Sequence, residues 1–313
     1  MSSPCDRLAV RNTGEVAQTS PISSGPVGPR AMRSEDLVLS HFTLAPMHPV
    51  EERVRLAAAN GFDGIGLFAV QYAALETDGF APNGLSELLE EHGQCLAEIE
   101  VVSGLGRDGV GGDRAAALED VVFRMADRFG CRYVQVIGPA GDTASAVRAF
   151  GSFCDRAADH GLVVGLEFVP SMTDIETIDD ARRIVEGAGR PNGGICVDSW
   201  HHQRGANDLA AIGRVPGTLV TGVQLDDGTA RPAIDDYYRD TLANRVAPGE
   251  GEFDLAGFVA TLRRIGVAVP WSVEVPSTWG WANPAEHVAR CAAGARRVLG
   301  KTAPTTDGRT EPT

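Results

Sequence analysis

The chain has 313 residues, 43% hydrophobic and 22% charged, which is enough apolar material for a large core and excludes disorder throughout. Its 28 basic and 42 acidic side chains leave a formal net charge of -14, and no basic run gathers on one face, so nucleic acid is not expected as a partner. The 6 cysteines are scattered without a CxxC pair, which excludes zinc-ribbon and disulfide frameworks and suits reduced thiols in a cytoplasm, and no apolar run is long enough to span a membrane.

Residues 1–33 are rich in Ser, Pro, Gly and Thr and lack the apolar stretch of a secretory signal, so a disordered tail is expected there. Eight short β-branched or apolar runs follow: LVLSHFTL (37–44), GIGLFAV (64–70), CLAEIEVVS (95–103), YVQVIG (133–138), LVVGLEFVP (162–170), GICVDSW (194–200), LVTGVQLDD (219–227) and WSVEVPS (271–277). Segments of helical period separate them, among them HPVEERVRLAAANG, DRAAALEDVVFRMADRFG and PAEHVARCAAGARRVLG, and several end in the glycine that a helix C-terminus favours. Residues 301–313 are expected to form a second disordered tail.

Strict alternation of strand and helix calls for parallel strands with helical crossovers, and eight units predict a single-domain α/β fold, a (β/α)8 TIM barrel over residues 34–300. An open doubly wound sheet is the alternative, but no GxGxxG opens a helix after the first strand.

The site of such a barrel lies at the C-terminal ends of its strands. Each of the last four runs offers a polar residue there: Glu167, Asp198, Gln224 and Glu274. Alternate side chains point to opposite faces, so Glu167 shares a face with Gly165, Asp198 with Cys196 and Gly194, Gln224 with Gly222, and Glu274 with Ser272. The opposite faces are apolar and suit the helical shell. Three carboxylates and an amide oxygen pointing inward would repel one another without a cation, and oxygen ligands favour a hard or borderline divalent ion: Mn²⁺ first, then Mg²⁺ or Co²⁺, with Zn²⁺ admitted. His41, Phe68, Tyr72, Trp200, Trp279 and Trp281 are candidates for the pocket floor and walls. Glu98 and Glu100 share one face of the third strand, where ordinary ion pairing is expected.

The ordered set GLEFVP, VDSWH, VQLDD, RVAPGEGEFDL and WSVEVPS resembles the xylose isomerase-like TIM-barrel superfamily, in particular its sugar phosphate isomerase/epimerase branch. The resemblance implies one divalent metal ion on Glu167, Asp198, Gln224 and Glu274. It also implies that Glu167 and Glu274 share the proton transfer, that His201 touches substrate or tunes the site, and that Arg245 reaches the substrate. His202 has no counterpart, and a solvated or capping role is expected for it. Gln224 stands where histidine is frequent, as in hydroxypyruvate isomerase-like members, and the insert 228–243 is expected to form a lid or specificity loop.

The function implied is a divalent-metal-dependent isomerase or epimerase acting on a small hydroxy-carbonyl substrate, a keto-sugar or cyclic polyol ketone, through a metal-stabilised enediolate. A dehydratase on the same site is the alternative, and a cytoplasmic homodimer or homotetramer is the expected assembly. An endonuclease IV-like reading would need further histidines at strand ends, and a non-catalytic barrel would be expected to have lost some of the four metal positions.

Overall fold

The structure is a computed structural model that describes residues 31–103, 112–138, 142–171 and 174–301. Except for residues 31–33 and 301, the two expected tails lie outside the described residues. Eight strands run in chain order: β1 Leu37–Leu39, β2 Gly64–Phe68, β3 Leu96–Ser103, β4 Tyr133–Ile137, β5 Val163–Glu167, β6 Gly193–Asp198, β7 Val220–Leu225 and β8 Trp271–Val273. Each pairs in parallel with the next, and β8 pairs with β1, closing the TIM barrel.

Each predicted run overlaps one strand, but several strands stop early, at the end of the barrel where the site lies. β1 ends at Leu39, and the Ser40 hydroxyl caps a 3-10 turn His41–Thr43. β6 ends at Asp198, whose Oδ1 accepts from the amides of Trp200 and His201 and so starts the helix Ser199–Arg204. An aspartate at an N-cap satisfies amides that the first helical turn leaves unpaired. Three other helices absent from the periodic reading, Ala69–Thr77, Tyr237–Ala243 and Thr278–Ala282, also follow strands on this face. The last two are too short to display an amphipathic period.

The longer helices match the periodic segments, including Gly112–Phe129, Thr143–Asp159, Leu255–Arg264 and Pro284–Leu299. Ile178–Ala188 shows why its boundaries were readable: Thr177 and Asp180 form a reciprocal capping box at its start, and Gly189 takes a left-handed φ of 60° at its end.

Outward-facing strand side chains, among them Leu39, Ile65, Leu67, Ile99, Val134, Leu166, Ile195 and Val273, are fully buried against the helices. Burying such side chains contributes about 1.5–3 kcal/mol each before chain entropy is counted. The inward positions differ from the branched aliphatics usual in such barrels. Gly66 leaves room for Glu98 and Glu100, since a Cβ there would stand 1.9 Å from Glu100 Oε1. Gly165 and Gly222 leave room for the Tyr133 hydroxyl, which Cβ atoms would approach to 2.2 and 1.9 Å. Tyr133 thus crosses the barrel beneath the strand ends, and a cavity of about 660 Å³ lies at the opposite mouth, lined by Val38, Ala97, Tyr133, Val163 and Val220 among others. Among the described residues no helix is long and apolar enough to cross a membrane.

Candidate metal centre at the strand ends

All four residues singled out by strand parity are buried at the C-terminal ends of their strands. Glu167 closes β5. Its Oε2 accepts from Gln135 Nε2 at 2.6 Å, while its buried Oε1 has no hydrogen-bond partner. Asp198 uses Oδ1 as a helix cap, while its Oδ2 accepts from the Arg245 guanidinium. Because His201 sits in the first turn of the helix that Asp198 caps, its ring folds back, and Nε2 lies 3.3 Å from Glu167 Oε1 and 3.7 Å from Asp198 Oδ2.

Arg245 supplies the positive charge. Its Nη1 donates to Asp198 Oδ2 at 2.8 Å, to Asp226 Oδ2 at 2.7 Å, and to Glu274 Oε2 at 3.2 Å. The rest of the guanidinium is held by Thr241, through Nε to its carbonyl and Nη2 to its hydroxyl, both at 3.1 Å. Arg245, expected to reach a substrate, is buried among carboxylates, where one guanidinium serves three acids that the strands deliver to one place.

The electrostatics follow from that imbalance. Burial pushes Asp198 upward, but Arg245 and His201 together outweigh it and hold its carboxyl below the ordinary range. Burial raises Asp226 well above that range, and the neighbouring Asp198 charge adds to it. Burial likewise raises Glu274 well above its ordinary value against the pull of Arg245. Burial and the one shared guanidinium therefore push Asp198 down and push Asp226 and Glu274 up, so the three acids differ sharply in how readily they hold a proton.

Gln224 is in place but occupied. Its amide exchanges hydrogen bonds of 3.3 Å with Gln135, and its Oε1 also accepts from the Cys196 thiol at 3.6 Å. Gln135 and Asp226 were missed in the sequence. Both carried a signal: Asp226 has the strand parity of Gln224, and Gln135 is the single polar residue inside YVQVIG.

Other expectations need correction. Trp200, expected against substrate, is fully buried; the Arg204 guanidinium stacks on its ring at 4.4 Å and Phe253 packs at 5.7 Å. His41 is fully buried between Phe42 and Phe68, and burial lowers its pKa well below the usual value. Phe68 is half-buried in the same aromatic group. Tyr72 packs on Phe129 in the helical shell. His202 is neither solvated nor a cap but buried against Phe258. Among the described residues Glu98 and Glu100 make no ion pair. Ser272 donates to Glu98, while Ser40 and the His41 amide donate to Glu100.

Trp279, which lies 43% exposed, and Arg245 both line a cavity of about 280 Å³ together with Ser277 and His287. The Trp281 indole donates to the Phe42 carbonyl at 3.3 Å.

Glu167, Asp198 and His201 each offer one ligand atom, and these atoms lie within 4.8 Å of one another. An unpartnered buried carboxylate oxygen beside an ionised aspartate and an imidazole nitrogen is a donor set that suits a divalent cation. Around this centre residues 54–295 match the family model described as "Xylose isomerase-like TIM barrel". The chain belongs to that family.

Within and around it, the chain is 28% identical over 235 residues to a 3-dehydroshikimate dehydratase of Pseudomonas aeruginosa, covering 72% of this chain and 36% of that protein. It is 30% identical over 151 residues to an inosose isomerase of Bacillus licheniformis, covering 48% of this chain and 52% of that one. The chain thus spans well under two thirds of the length of these relatives. A solved structure described as "IOLI protein with a binding zinc atom" superposes with a TM-score of 0.76 at 19% identity, over 85% of this chain and 98% of that one, which shows the shared fold.

Proposed function

We propose that the chain is a divalent-metal-dependent enzyme that enolises a cyclic polyhydroxy-ketone. Loss of a neighbouring hydroxyl is the favoured outcome and isomerisation the second reading. The observation that carries the proposal is the juxtaposition of Glu167 Oε1, Asp198 Oδ2 and His201 Nε2 at the strand ends. Dehydration is placed first because the similarity to 3-dehydroshikimate dehydratase extends over 72% of the chain, whereas that to inosose isomerase extends over 48%.

Glu167 and Asp198 would hold the cation, with His201 at the third corner. Gln224 and Glu274 would complete the set inferred from the resemblance by releasing Gln135 and Arg245. When bound, a divalent ion polarises a carbonyl and a neighbouring hydroxyl oxygen and acidifies the C–H beside them. The chain's own groups then move protons. Glu167 Oε1, which lies 3.3 Å from His201 Nε2, is placed to accept one. Glu274, whose hold on a proton burial strengthens, is placed to return one to carbon or to a departing hydroxyl. Arg245, released from the carboxylates, would be free to meet a substrate oxygen. Positioned acid and base groups contribute roughly 10²–10⁴-fold each.

Turnover of 3-dehydroshikimate, read as ultraviolet absorbance of the aromatised product, and of an inosose, read by chromatography, tests the two outcomes with Mn²⁺ present. Glu274→Gln should abolish either activity while leaving the circular dichroism spectrum intact. Near-wild-type activity in that variant would remove Glu274 from the mechanism, and inertness of the wild type toward both ketones would overturn the substrate class.

A further inference from the structure

The insert 228–243 sends one side chain into the centre. The insert ends in the helix Tyr237–Ala243, capped by Asp236 and fastened from below. Asp240 is buried there and accepts from Arg204 Nε at 3.2 Å, Asn244 Nδ2 at 2.9 Å and the Ala233 amide at 3.2 Å. Arg204 stacks on the buried Trp200, and Thr241 of the same helix grips Arg245. A helix anchored at so many points delivers its first residue reproducibly. Tyr237 Oη lies 2.5 Å from His201 Nδ1, with the two rings stacked at 6.1 Å and 28°.

We infer that Tyr237 is the positioning residue for His201: it holds Nδ1 on its hydroxyl so that Nε2 faces Glu167 and Asp198, and it makes the insert a working part of the site. Turning the imidazole over would put ring carbons where its two nitrogens now meet the phenol and the carboxylates, losing both contacts. A neutral imidazole carries a single N–H, and a phenol can donate or accept, so Tyr237 supports either tautomer without moving a heavy atom. With no cation present, Nε2 keeps its hydrogen toward the carboxylates and Nδ1 accepts from the Tyr237 hydroxyl. With the carboxylates loaded, Nε2 must present its lone pair, so the hydrogen moves to Nδ1, which donates to Tyr237 Oη. The hydroxyl hydrogen of Tyr237 is then free to point at a substrate oxygen. Phenylalanine supports neither arrangement.

The loaded arrangement rests on the proposed cation site, but the metal-free one does not, so the test separates them. Full-length chain labelled with ¹⁵N-histidine, stripped of metal and with His201 assigned through His201→Gln, is compared with Tyr237→Phe. Tyr237→Met serves if phenylalanine disturbs folding. Long-range ¹H–¹⁵N spectra should show one His201 tautomer in the wild type, with hydrogen on Nε2, and an averaged pair in the variant. Titration with Zn²⁺ alone should move the hydrogen to Nδ1 in the wild type, and the variant should bind Zn²⁺ roughly 10- to 100-fold more weakly, as losses of ligand-orienting partners do. Identical His201 signals in the metal-free wild type and variant would overturn the role of Tyr237. If the wild type takes up no Zn²⁺, the cation reading fails, and the metal-free comparison still decides the case for Tyr237.

Discussion

Glu98 and Glu100 on one side of the barrel interior, and Asp198, Asp226 and Glu274 on the other, are comparably buried. Yet the two groups meet that burial differently. The first pair has hydroxyl and amide donors and, among the described residues, no cation within hydrogen-bonding reach. Burial pushes Glu98 up to about 7, and burial and Glu98 raise Glu100 well above its ordinary value. The second group is gathered on one guanidinium, which pulls Asp198 below its ordinary range while burial raises Asp226 and Glu274 above theirs. Hydrogen-bond donors alone do not offset desolvation of these acids, whereas a guanidinium at 2.7–2.8 Å does so for one of them. Only the second side has a charge that substrate or a cation could displace.

The difference can be broken most severely by removing the cation. Arg245→Met strands the buried Asp198 charge, and urea denaturation should show a loss of about 3–5 kcal/mol, the usual cost of orphaning one member of a buried pair. Double replacement with Asp198→Asn should recover much of it. If Arg245→Met left stability unchanged, the guanidinium would not be what holds the group together.

Glu98→Gln tests the other side. The Glu98 carboxyl titrates near 4.5 in an unfolded chain and near 7 in the fold. Below pH 4.5 both states are protonated and its contribution is fully present. Between 4.5 and 7 the unfolded chain alone releases the proton, so stability falls as pH rises. The variant should therefore gain up to about 3 kcal/mol over wild type at pH 8 and nothing at pH 4. Equal stability at pH 8 would mean that Glu98 is ionised at no cost.

On the acid side the sign reverses. His202 and His287 have pKa values lowered chiefly by burial, so below about pH 6.5 the unfolded chain takes up protons that the folded chain refuses. Stability should therefore fall on acidification below that point. His202→Leu should flatten the dependence measured by thermal unfolding between pH 6.5 and 5, and an unchanged slope would clear His202 of the effect.

The barrel was legible because strand and helix periods alternate eight times, and parity alone turned Glu167, Asp198, Gln224 and Glu274 inward. The boundaries were less legible where one residue serves two ends. In CVDSWHH, Asp198 closes a strand and caps a helix, so the apolar Trp200 reads as strand while it folds as helix. Contacts made from outside the strands were not legible at all. Nothing in GTARPAIDDYYRDTLA announces that Tyr237 meets His201, since that depends on how Asp240 and Thr241 pin their helix. Arg245 was found by position in its motif, but its partners follow only from the convergence of β6, β7 and β8.

The central claim is that Glu167 and Asp198 hold one divalent ion beside His201. Calorimetric titration of the metal-stripped chain with Mn²⁺, run in parallel on wild type and Glu167→Gln, tests it most directly. The expected result is one ion per chain in the wild type and affinity weakened at least roughly tenfold in the variant, since a charged oxygen ligand has become a neutral amide. Equal affinity and stoichiometry in the two proteins, or no uptake by the wild type, would contradict it.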